Sequence, residues 1–370
     1  MNPLSSCYIH IPFCNHLCGY CDFVHVIYNQ KQADLVLAQL QKDAFGYPAK
    51  SMKTIYIGGG TPSALSIDQL DQLKSIIDYL KMDDAEVTME INPESLNELK
   101  TKKLVQMGIN RVSVGVQATN DALLKILTRQ HNVSKAFEAI KLLVDHGITN
   151  ISVDAMYGVP TQTLADFKET LTLFMDANIP HISLYGLSIH PNTPFYKQNI
   201  QPAPADLEAA FYELACDVLT AAGYVHYEVS NFARDTYQSQ HNQVYWRYED
   251  FVGLGPGAAS KIKQQRTLNT DNINDYINQH HVIVEVVDNS KSESMFEWVM
   301  MNSRLATGLD KKRFVDEYAQ TLEATYPKAI SQAIKNGWLI NEENTIKTTD
   351  QGRLLLHDVL LLFMEEVDIA

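Results

Sequence analysis

The 370-residue chain is poor in cysteine, with only five, and this bears on its class. Small secreted domains held by disulfides need a dense set of cysteines, so that class is excluded. The chain also lacks an unbroken run of about 20 apolar residues, the length that a membrane-spanning helix requires. Residues 1–6 show neither the basic nor the apolar stretch of a secretory signal. We therefore expect a protein of the reducing cytoplasm without a transmembrane segment.

Positive charge is scarce as well. The chain carries 30 Lys and Arg against 44 Asp and Glu, for a net charge of −14. No basic stripe is present that could neutralise the phosphates of a nucleic acid, so we expect no nucleic-acid partner. The length predicts one large domain and a smaller one.

Three of the five cysteines, Cys14, Cys18 and Cys21, lie within eight residues. Three thiolates cannot complete a tetrahedral zinc site, which requires four ligands. They can bind three irons of a [4Fe–4S] cluster and leave the fourth iron open to a substrate or cofactor. The alternative is that the thiols are reduced and idle, but their clustering favours the metal site. Cys7 and Cys216 have apolar neighbours and are expected to pack as small hydrophobic residues.

Strand-like and helix-like segments alternate along most of the chain. Helices are predicted after Ser66 and after Ser95, the second ending near Gly108. Six apolar or β-branched runs are predicted to be strands: Cys7–Pro12, Thr54–Ile57, Glu86–Asn92, Arg111–Gln117, Asn150–Tyr157 and His181–Ile189. Six βα units indicate a parallel sheet with helical crossovers, so the fold class is α/β.

Notable residues stand at the carboxyl ends of these predicted strands. They are the cysteine loop, Gly58–Gly60, Glu90, Gln117, Asp154 and Ser188. Loops at that end of the strands build the active site of βα barrels. The residues alone therefore predict a site at this edge of the sheet.

The segment Cys14-Asn-His-Leu-Cys18-Gly-Tyr-Cys21 resembles the CxxxCxxC loop of the radical S-adenosylmethionine (SAM) superfamily, including the aromatic Tyr20. The resemblance implies a partial (β/α)6 barrel. It also implies a [4Fe–4S] cluster on the three cysteines, SAM on the open iron and an electron donor for the cluster. Radical chemistry in such proteins belongs to the cofactor, while the protein binds and orients it.

The run Gly58-Gly59-Gly60-Thr61-Pro62 resembles the SAM loop of the coproporphyrinogen-oxidase-like branch of this superfamily. The resemblance assigns SAM contacts to Gly59, Gly60 and Thr61, although a tight turn would use glycine equally well. Further SAM contacts that it assigns are Tyr8, Tyr20, Glu90, Gln117, Arg129 and Asp154. The alternative for these polar residues is a structural ion pair, for example between Arg129 and Asp154.

Two features separate this chain from the oxidases of that branch. Those enzymes resemble it but have a longer N-terminal arm and a fourth cysteine two residues after the third, where this chain has Phe23. The segment His241-Asn-Gln-Val-Tyr245-Trp246 resembles the HNxxYW segment of heme chaperones. The resemblance implies heme near His241, with Tyr245 and Trp246 in the pocket and the barrel mouth close by.

General chemistry is compatible with that assignment. Imidazole can ligate heme iron, and Arg247 or Arg234 could bind a propionate. The alternative is a histidine packed in the core beside two aromatic residues.

The region after the barrel breaks the βα rhythm. Residues 1–260 are predicted to be the barrel domain, 261–290 a linker and 291–370 a small helical, winged-helix-like domain. Its hairpin is predicted at Trp338–Ile340 and Ile346–Thr348, and its element at 347–352 has no basic face for DNA.

These features together predict a heme chaperone. It would bind heme and a SAM-ligated [4Fe–4S] cluster and pass heme to an acceptor protein, without coproporphyrinogen oxidase activity. One alternative is an oxygen-independent coproporphyrinogen III oxidase, which converts propionates to vinyl groups oxidatively. Another is a different radical SAM reaction. Transient contact with a membrane protein stays open.

Overall fold

A mixed sheet of nine strands forms the centre of the protein in the computed structural model, which describes residues 4–367. The elements of this part, in chain order, are β1 (Ser6–Ile11), β2 (Phe13–Cys14), β3 (Val26–Ile27), α1 (Gln30–Ala44), β4 (Met52–Gly59), α2 (Ile67–Leu80), β5 (Lys81–Ile91), α3 (Glu98–Gln106), β6 (Arg111–Gln117), α4 (Asp121–Ile126), α5 (Val133–Asp145), β7 (Ile151–Tyr157), α6 (Leu164–Asp176), β8 (His181–Gly186), α7 (Pro194–Lys197), α8 (Ala205–Ala221), β9 (Val225–Glu228), β10 (Asn231–Ala233), α9 (Gln240–Trp246) and β11 (Val252–Leu254).

The six predicted strands are the six parallel neighbours β1, β4, β5, β6, β7 and β8. Strand β11 extends the sheet in parallel beyond β1, while β10 and β9 extend it antiparallel beyond β8. Because β1 and β8 do not pair, the barrel stays open. The prediction of an α/β partial barrel is confirmed.

Side chains alternate along these strands between two faces. In β4, Ile55 and Ile57 belong to the main hydrophobic core. The opposite, concave face is called the lumen below, and it carries mostly polar side chains: Tyr8, Thr54, Tyr56, Glu86, Thr88, Glu90, Arg111, Ser113, Ser152, Asp154, His181, Ser183 and Tyr185. A polar lumen inside an apolar shell leaves hydrogen-bonding groups for a ligand.

The predicted helix starts are partly confirmed. Ser66 caps α2 in a capping box with Gln69. The start predicted at Ser95 is wrong, because Asn97 caps α3 by accepting from the Lys100 N–H. Ser95 instead ends a short 3-10 turn and donates to the Asn92 carbonyl. Serine and asparagine are comparable caps, so the sequence alone did not separate the two.

The remaining elements form an antiparallel meander followed by a largely helical region. They are β12 (Ala259–Ile262), β13 (Gln265–Asn269), α10 (Ile273–Asn278), β14 (Ile283–Asp288), α11 (Lys291–Asn302), β15 (Leu309–Asp310), α12 (Lys311–Tyr318), α13 (Leu322–Thr325), α14 (Pro327–Lys335), β16 (Leu339–Asn341), β17 (Thr345–Thr348), α15 (Asp350–Leu354) and α16 (Leu356–Met364).

The prediction of a linker over residues 261–290 is wrong, because this segment is folded. Strands β12, β13 and β14 form a three-stranded sheet, and α10 packs against α1. Tyr276 of α10 is fully buried and its hydroxyl donates to Asp43. Strands that alternate apolar and polar residues have a polar average composition, which explains the wrong prediction.

The C-terminal region has its own core around Trp298, Phe314, Tyr326 and Phe363. Its sheet has the order β15–β17–β16, with the predicted hairpin formed by β16 and β17. Thr349 caps α15. Within residues 4–367, no helix combines the length and apolar character needed to cross a bilayer.

Candidate functional site

The cysteine loop leaves the barrel at the carboxyl end of β1. Its two ends are joined by backbone hydrogen bonds from Val26 N–H to the Pro12 carbonyl (2.7 Å) and from Tyr28 N–H to the Cys14 carbonyl (2.9 Å). Cys14 is 7% exposed, whereas Cys18 and Cys21 are partly exposed. The loop is therefore closed at its base and open to a ligand at its tip.

A second anchor holds the middle of this loop. The Gly19 N–H donates to Thr128 Oγ1 at 2.7 Å, and the Phe195 N–H donates to the Gly19 carbonyl at 2.9 Å. A Cβ at Gly19 would lie 2.3 Å from the Phe195 ring, so only glycine allows this approach. Tyr20 packs edge-on against the same ring. The loop is therefore held by protein contacts at its base and at its middle.

A chain of hydrogen bonds joins two of the thiols. Thr61 Oγ1 donates to Cys14 Sγ (3.4 Å), and Arg129 Nη1 donates to Cys18 Sγ (3.5 Å). Asn92 links the two donors, because its Nδ2 donates to Thr61 Oγ1 (2.9 Å) and its Oδ1 accepts from Arg129 Nη2 (2.7 Å). The Arg129 guanidinium and the Thr61 hydroxyl thus hold two candidate metal-ligating sulfurs in place through one shared asparagine.

These residues suit a [4Fe–4S] cluster. Burial raises the pKa of Cys14 to about 11 and that of Cys21 to about 12, so metal binding would displace their protons. In the described residues, no three His, Cys, Asp or Glu side chains already converge on one point. A single metal ion needs ligands that converge on one point, whereas a [4Fe–4S] cluster binds each thiolate through a different iron. Arg129 Nε is buried without a partner, which leaves a donor for a ligand here.

The backbone N–H groups of the glycine run are bound to acceptors of the protein itself. The N–H groups of Gly59, Gly60 and Thr61 donate to Glu90 Oε2 (3.0 Å), the Ile11 carbonyl (2.9 Å) and the Phe13 carbonyl (2.8 Å). These three N–H groups are therefore engaged within the protein. The alternative use of glycine, in a tight turn, also applies, because Gly59 has φ +108° and packs against His10.

Two largely buried carboxyl groups lie on the lumen side of this loop. Glu90 accepts from Tyr56 Oη (2.8 Å), and Asp154 accepts from Ser113 Oγ (3.1 Å). Burial, reinforced by the charge of Glu90, raises the pKa of Asp154 to about 7, and burial also raises the pKa of Glu90. Such a pair favours a cation or hydroxyl groups as its ligand.

The structural ion pair weighed for Arg129 and Asp154 is not formed in the described residues. Arg129 instead donates to Asn92, Cys18 and the Gly115 carbonyl (2.6 Å). That guanidinium therefore belongs to the cysteine loop.

The remaining residues that the sequence predicted for the site differ in their contacts and in their exposure. Tyr8 Oη lies 2.9 Å from His10 Nδ1, and His10 Nε2 lies 2.8 Å from the Val24 carbonyl. Gln117 ends β6 with φ +72°. Ser188 lies exposed beyond the end of β8.

Sequence reasoning missed Asn92 and Thr128 as support for the cysteine loop. Asn92 directly follows the same strand as Glu90, so its position was a usable signal. Thr128 offered none.

The HNxxYW segment lies at the other end of the lumen. His241 is fully buried; its Nδ1 lies 2.8 Å from Thr54 Oγ1 and its Nε2 lies 2.7 Å from Tyr245 Oη. Its ring stacks on Tyr56, and burial lowers its pKa to about 3. Thr54 precedes Gly58 by four residues, or about 13 Å along the strand. The expected position near the barrel mouth is therefore wrong, and both nitrogens are occupied, as the core-histidine alternative predicts.

The two aromatic residues of the HNxxYW segment contact different parts of the protein. Trp246 lies under the Arg304 guanidinium (4.3 Å from the ring centroid), which belongs to the C-terminal region. Tyr245 packs edge-on against Phe251. The two arginines considered for a propionate are engaged elsewhere, with Arg234 over the Tyr224 ring and Arg247 bound to Gln243.

Comparison with known proteins agrees with this site. The family model of the Radical SAM superfamily matches residues 8–174, and that of the HemN C-terminal domain matches residues 289–355. The chain is 34% identical to the heme chaperone HemW of Bacillus subtilis, over 98% of this chain and 100% of that protein. It is 33% identical to the heme chaperone HemW of Escherichia coli, over 98% and 99%.

A solved structure supports the fold. The structure of coproporphyrinogen III oxidase (HemN) from Escherichia coli aligns with a TM-score of 0.84, covering 98% of this chain and 90% of that one, at 22% identity. At this identity the likeness concerns the fold only. Full-length similarity to HemW, together with the cysteine loop and its hydrogen-bonded support, shows that the chain belongs to the radical SAM superfamily and, within it, to the HemW family.

Proposed function

We propose that this protein is a heme chaperone, which binds heme and a SAM-ligated [4Fe–4S] cluster and passes the heme to an acceptor protein. The observation that carries the proposal is the full-length similarity, at 33–34% identity, to proteins described as heme chaperones. An acceptor protein and an electron donor for the cluster are the partners that this function requires. We place the activity in the cytoplasm.

The cofactor roles follow from the site. Cys14, Cys18 and Cys21 would hold the cluster, and the bound cluster and SAM would supply one-electron chemistry. Arg129 donates a hydrogen bond to Cys18 Sγ and so helps to hold that sulfur in place. Glu90 and Asp154 lie in the lumen where a cationic, hydroxyl-bearing cofactor would be complemented.

The other contacts that we propose for SAM surround this core of the site. They are Tyr8, Tyr20, Gly59, Gly60, Thr61 and Gln117.

Coproporphyrinogen oxidase activity is the second candidate, and one observation weighs against it. Phe23 occupies the position where the resembling oxidases have a fourth cysteine, and its side chain is 67% exposed. The similarity to the solved oxidase concerns the fold alone. We therefore propose a chaperone without oxidase activity.

One reconstituted sample can test both functions. The cluster is rebuilt anaerobically, and the sample is assayed for heme binding, for heme release to a heme-free globin and for conversion of coproporphyrinogen to protoporphyrinogen. We expect binding and release without vinyl product. Vinyl product with stoichiometric 5′-deoxyadenosine would contradict the proposal, and so would failure to bind heme.

A further inference from the structure

The side-chain hydrogen bonds that reach two of the cysteine sulfurs pass through one residue, Asn92. Its Nδ2 donates to Thr61 Oγ1 at 2.9 Å, and its Oδ1 accepts from Arg129 Nη2 at 2.7 Å. Thr61 in turn donates to Cys14 Sγ at 3.4 Å, and Arg129 donates to Cys18 Sγ at 3.5 Å. One amide thus supports the donors to two of the three candidate cluster ligands.

The chemistry of the partners fixes the direction of these hydrogen bonds. A guanidinium has donors only, so the amide oxygen of Asn92 must face Arg129 and its amide nitrogen must face Thr61. Thr61 Oγ1 accepts that N–H and directs its own proton to Cys14 Sγ. The position therefore needs a side chain that donates at one end and accepts at the other, as an amide does.

The backbone holds Asn92 in a fixed place. Asn92 directly follows β5, and its carbonyl accepts from the Ser95 N–H at 3.0 Å and from Ser95 Oγ at 2.6 Å. Pro93, whose ring restricts the backbone, opens the short 3-10 turn that ends at Ser95. The Arg129 guanidinium is also bound to the Gly115 carbonyl at 2.6 Å. The donors to the two sulfurs thus rest on the carboxyl-terminal parts of β5 and β6.

Such donors affect how easily a cluster takes up an electron. Hydrogen bonds to the sulfurs are among the features that set the reduction potential of an iron–sulfur cluster. Reduction adds one electron and therefore one negative charge, which hydrogen-bond donors stabilise. The effect is stronger where water is scarce, and Cys14 is only 7% exposed. Loss of the donors should therefore make the reduction potential more negative.

We propose that Asn92 is a positioning residue that sets the reduction potential of the [4Fe–4S] cluster, because it holds the donors Thr61 and Arg129 against the cysteine sulfurs. The assignment rests on the cluster of the function proposed above. In the step concerned, the electron donor loses one electron and the cluster gains it. Thr61 and Arg129 contact the sulfurs directly, and Asn92 acts through them.

The first experiment measures the potential in the full-length chain after anaerobic reconstitution. SAM is left out, because Thr61 and Arg129 are also proposed to contact it. The cluster is titrated with dithionite and redox mediators and followed by electron paramagnetic resonance. Asn92→Leu removes the amide at similar size, and it should lower the equilibrium constant of reduction by about tenfold, which is a negative shift of about 59 mV for one electron.

A matched control separates this effect from a loss of structural support. Asn110, directly before β6, also uses both ends of its amide: it accepts from the Val87 N–H and donates to the Ala85 carbonyl, both at 2.8 Å. It lies at the opposite end of the parallel strands from Asn92. Asn110→Leu should lower the free energy of unfolding, measured by denaturant titration, and leave the reduction potential unchanged.

The second experiment tests whether Asn92 acts through Thr61. Thr61→Val removes the donor to Cys14 and should also make the potential more negative. In the double variant the shift should be smaller than the sum of the single shifts, because both substitutions break the same chain of hydrogen bonds. Should Asn92→Leu assemble no cluster, a negative shift in Thr61→Val supports the proposal, and an unchanged potential there overturns it.

The remaining outcomes separate this role from the proposed function. A wild-type potential in Asn92→Leu, an equal shift in Asn110→Leu, or shifts that add in the double variant would overturn the role of Asn92 and leave the cluster in place. A wild-type chain that assembles no cluster would overturn the proposed function together with this role.

Discussion

The cysteine loop and the HNxxYW segment lie at opposite ends of one lumen, and the thiols of the first differ from the imidazole of the second in exposure and in hydrogen-bond partners. Cys18 and Cys21 are partly exposed, and Arg129 keeps a buried nitrogen without a partner. At the other end, both ring nitrogens of His241 have partners and its exposure is zero. His241 with its partners Thr54 and Tyr245 is called the plug below. The contrast holds for the thiols and the imidazole only, because Trp246 Nε1 of the same segment is also buried without a partner.

A structural path also joins the two ends. His241 stacks on Tyr56, Tyr56 donates to Glu90, and Glu90 accepts from the Gly59 N–H in the glycine run. Helix α9 meets the C-terminal region through Trp246 under Arg304. The plug thus contacts the Glu90 carboxylate of the site indirectly, through Tyr56.

The largest expected effect is at the cysteine loop. Replacing Cys14, Cys18 and Cys21 together by alanine should abolish cluster binding and leave the chain folded, because the loop is also held by backbone hydrogen bonds. Iron and sulfide content after anaerobic reconstitution measures the loss. Cys216→Ala is the control and should bind a full cluster. A requirement for Cys216 or Cys7 would contradict the assignment.

The opposite result is expected at the plug. His241→Ala should lower the free energy of unfolding by about 2–4 kcal/mol, because it opens a cavity and leaves the hydroxyls of Thr54 and Tyr245 unpaired. Denaturant titration measures this, and exposed His280→Ala is the control. The heme spectrum of the folded variant should match wild type. A changed Soret band with unchanged stability would restore His241 as the heme ligand.

Acid should weaken the plug through the same residue. Burial lowers the pKa of His241 from 6.5 to about 3, so between these values the unfolded chain binds a proton that the folded chain does not. Its contribution to stability is complete above pH 6.5 and falls as the pH falls, by about 1.5 kcal/mol between pH 6.5 and 5. Unfolding free energies at both pH values should show a smaller decrease in His241→Ala than in wild type. Equal decreases would contradict the buried neutral imidazole.

An effect with the opposite pH dependence is expected at the upper lumen. The pKa of Asp154 is raised from 3.8 to about 7, so the folded chain keeps this proton more tightly and loses stability as the pH rises through that range. Asp154→Asn should therefore stabilise the cofactor-free chain at pH 8, and this gain should disappear below about pH 4. The same variant should bind SAM more weakly once the cluster is present. Lower stability at pH 8 would show that the carboxylate has a structural role.

Local patterns accounted for most of the fold. Alternation and length predicted the six parallel strands, and Ser66 predicted the start of α2, because these signals depend on neighbouring residues. The meander at residues 259–288 escaped prediction since its polar alternation resembles a linker. The start of α3 was misplaced because two adequate caps lie two positions apart.

The cysteine loop was readable from the sequence because its three candidate ligands fall within eight residues, so that spacing alone predicts the cluster. The role of His241 was not readable, because its partner Thr54 lies 187 residues away and saturation of a side chain depends on such long-range contacts. A cavity between α11 and the meander likewise forms only in the tertiary structure, which brings Leu268 of β13 and Met300 of α11 together. Sequence determined which chemistry the loop can perform; tertiary packing decided which polar groups remain free to perform it.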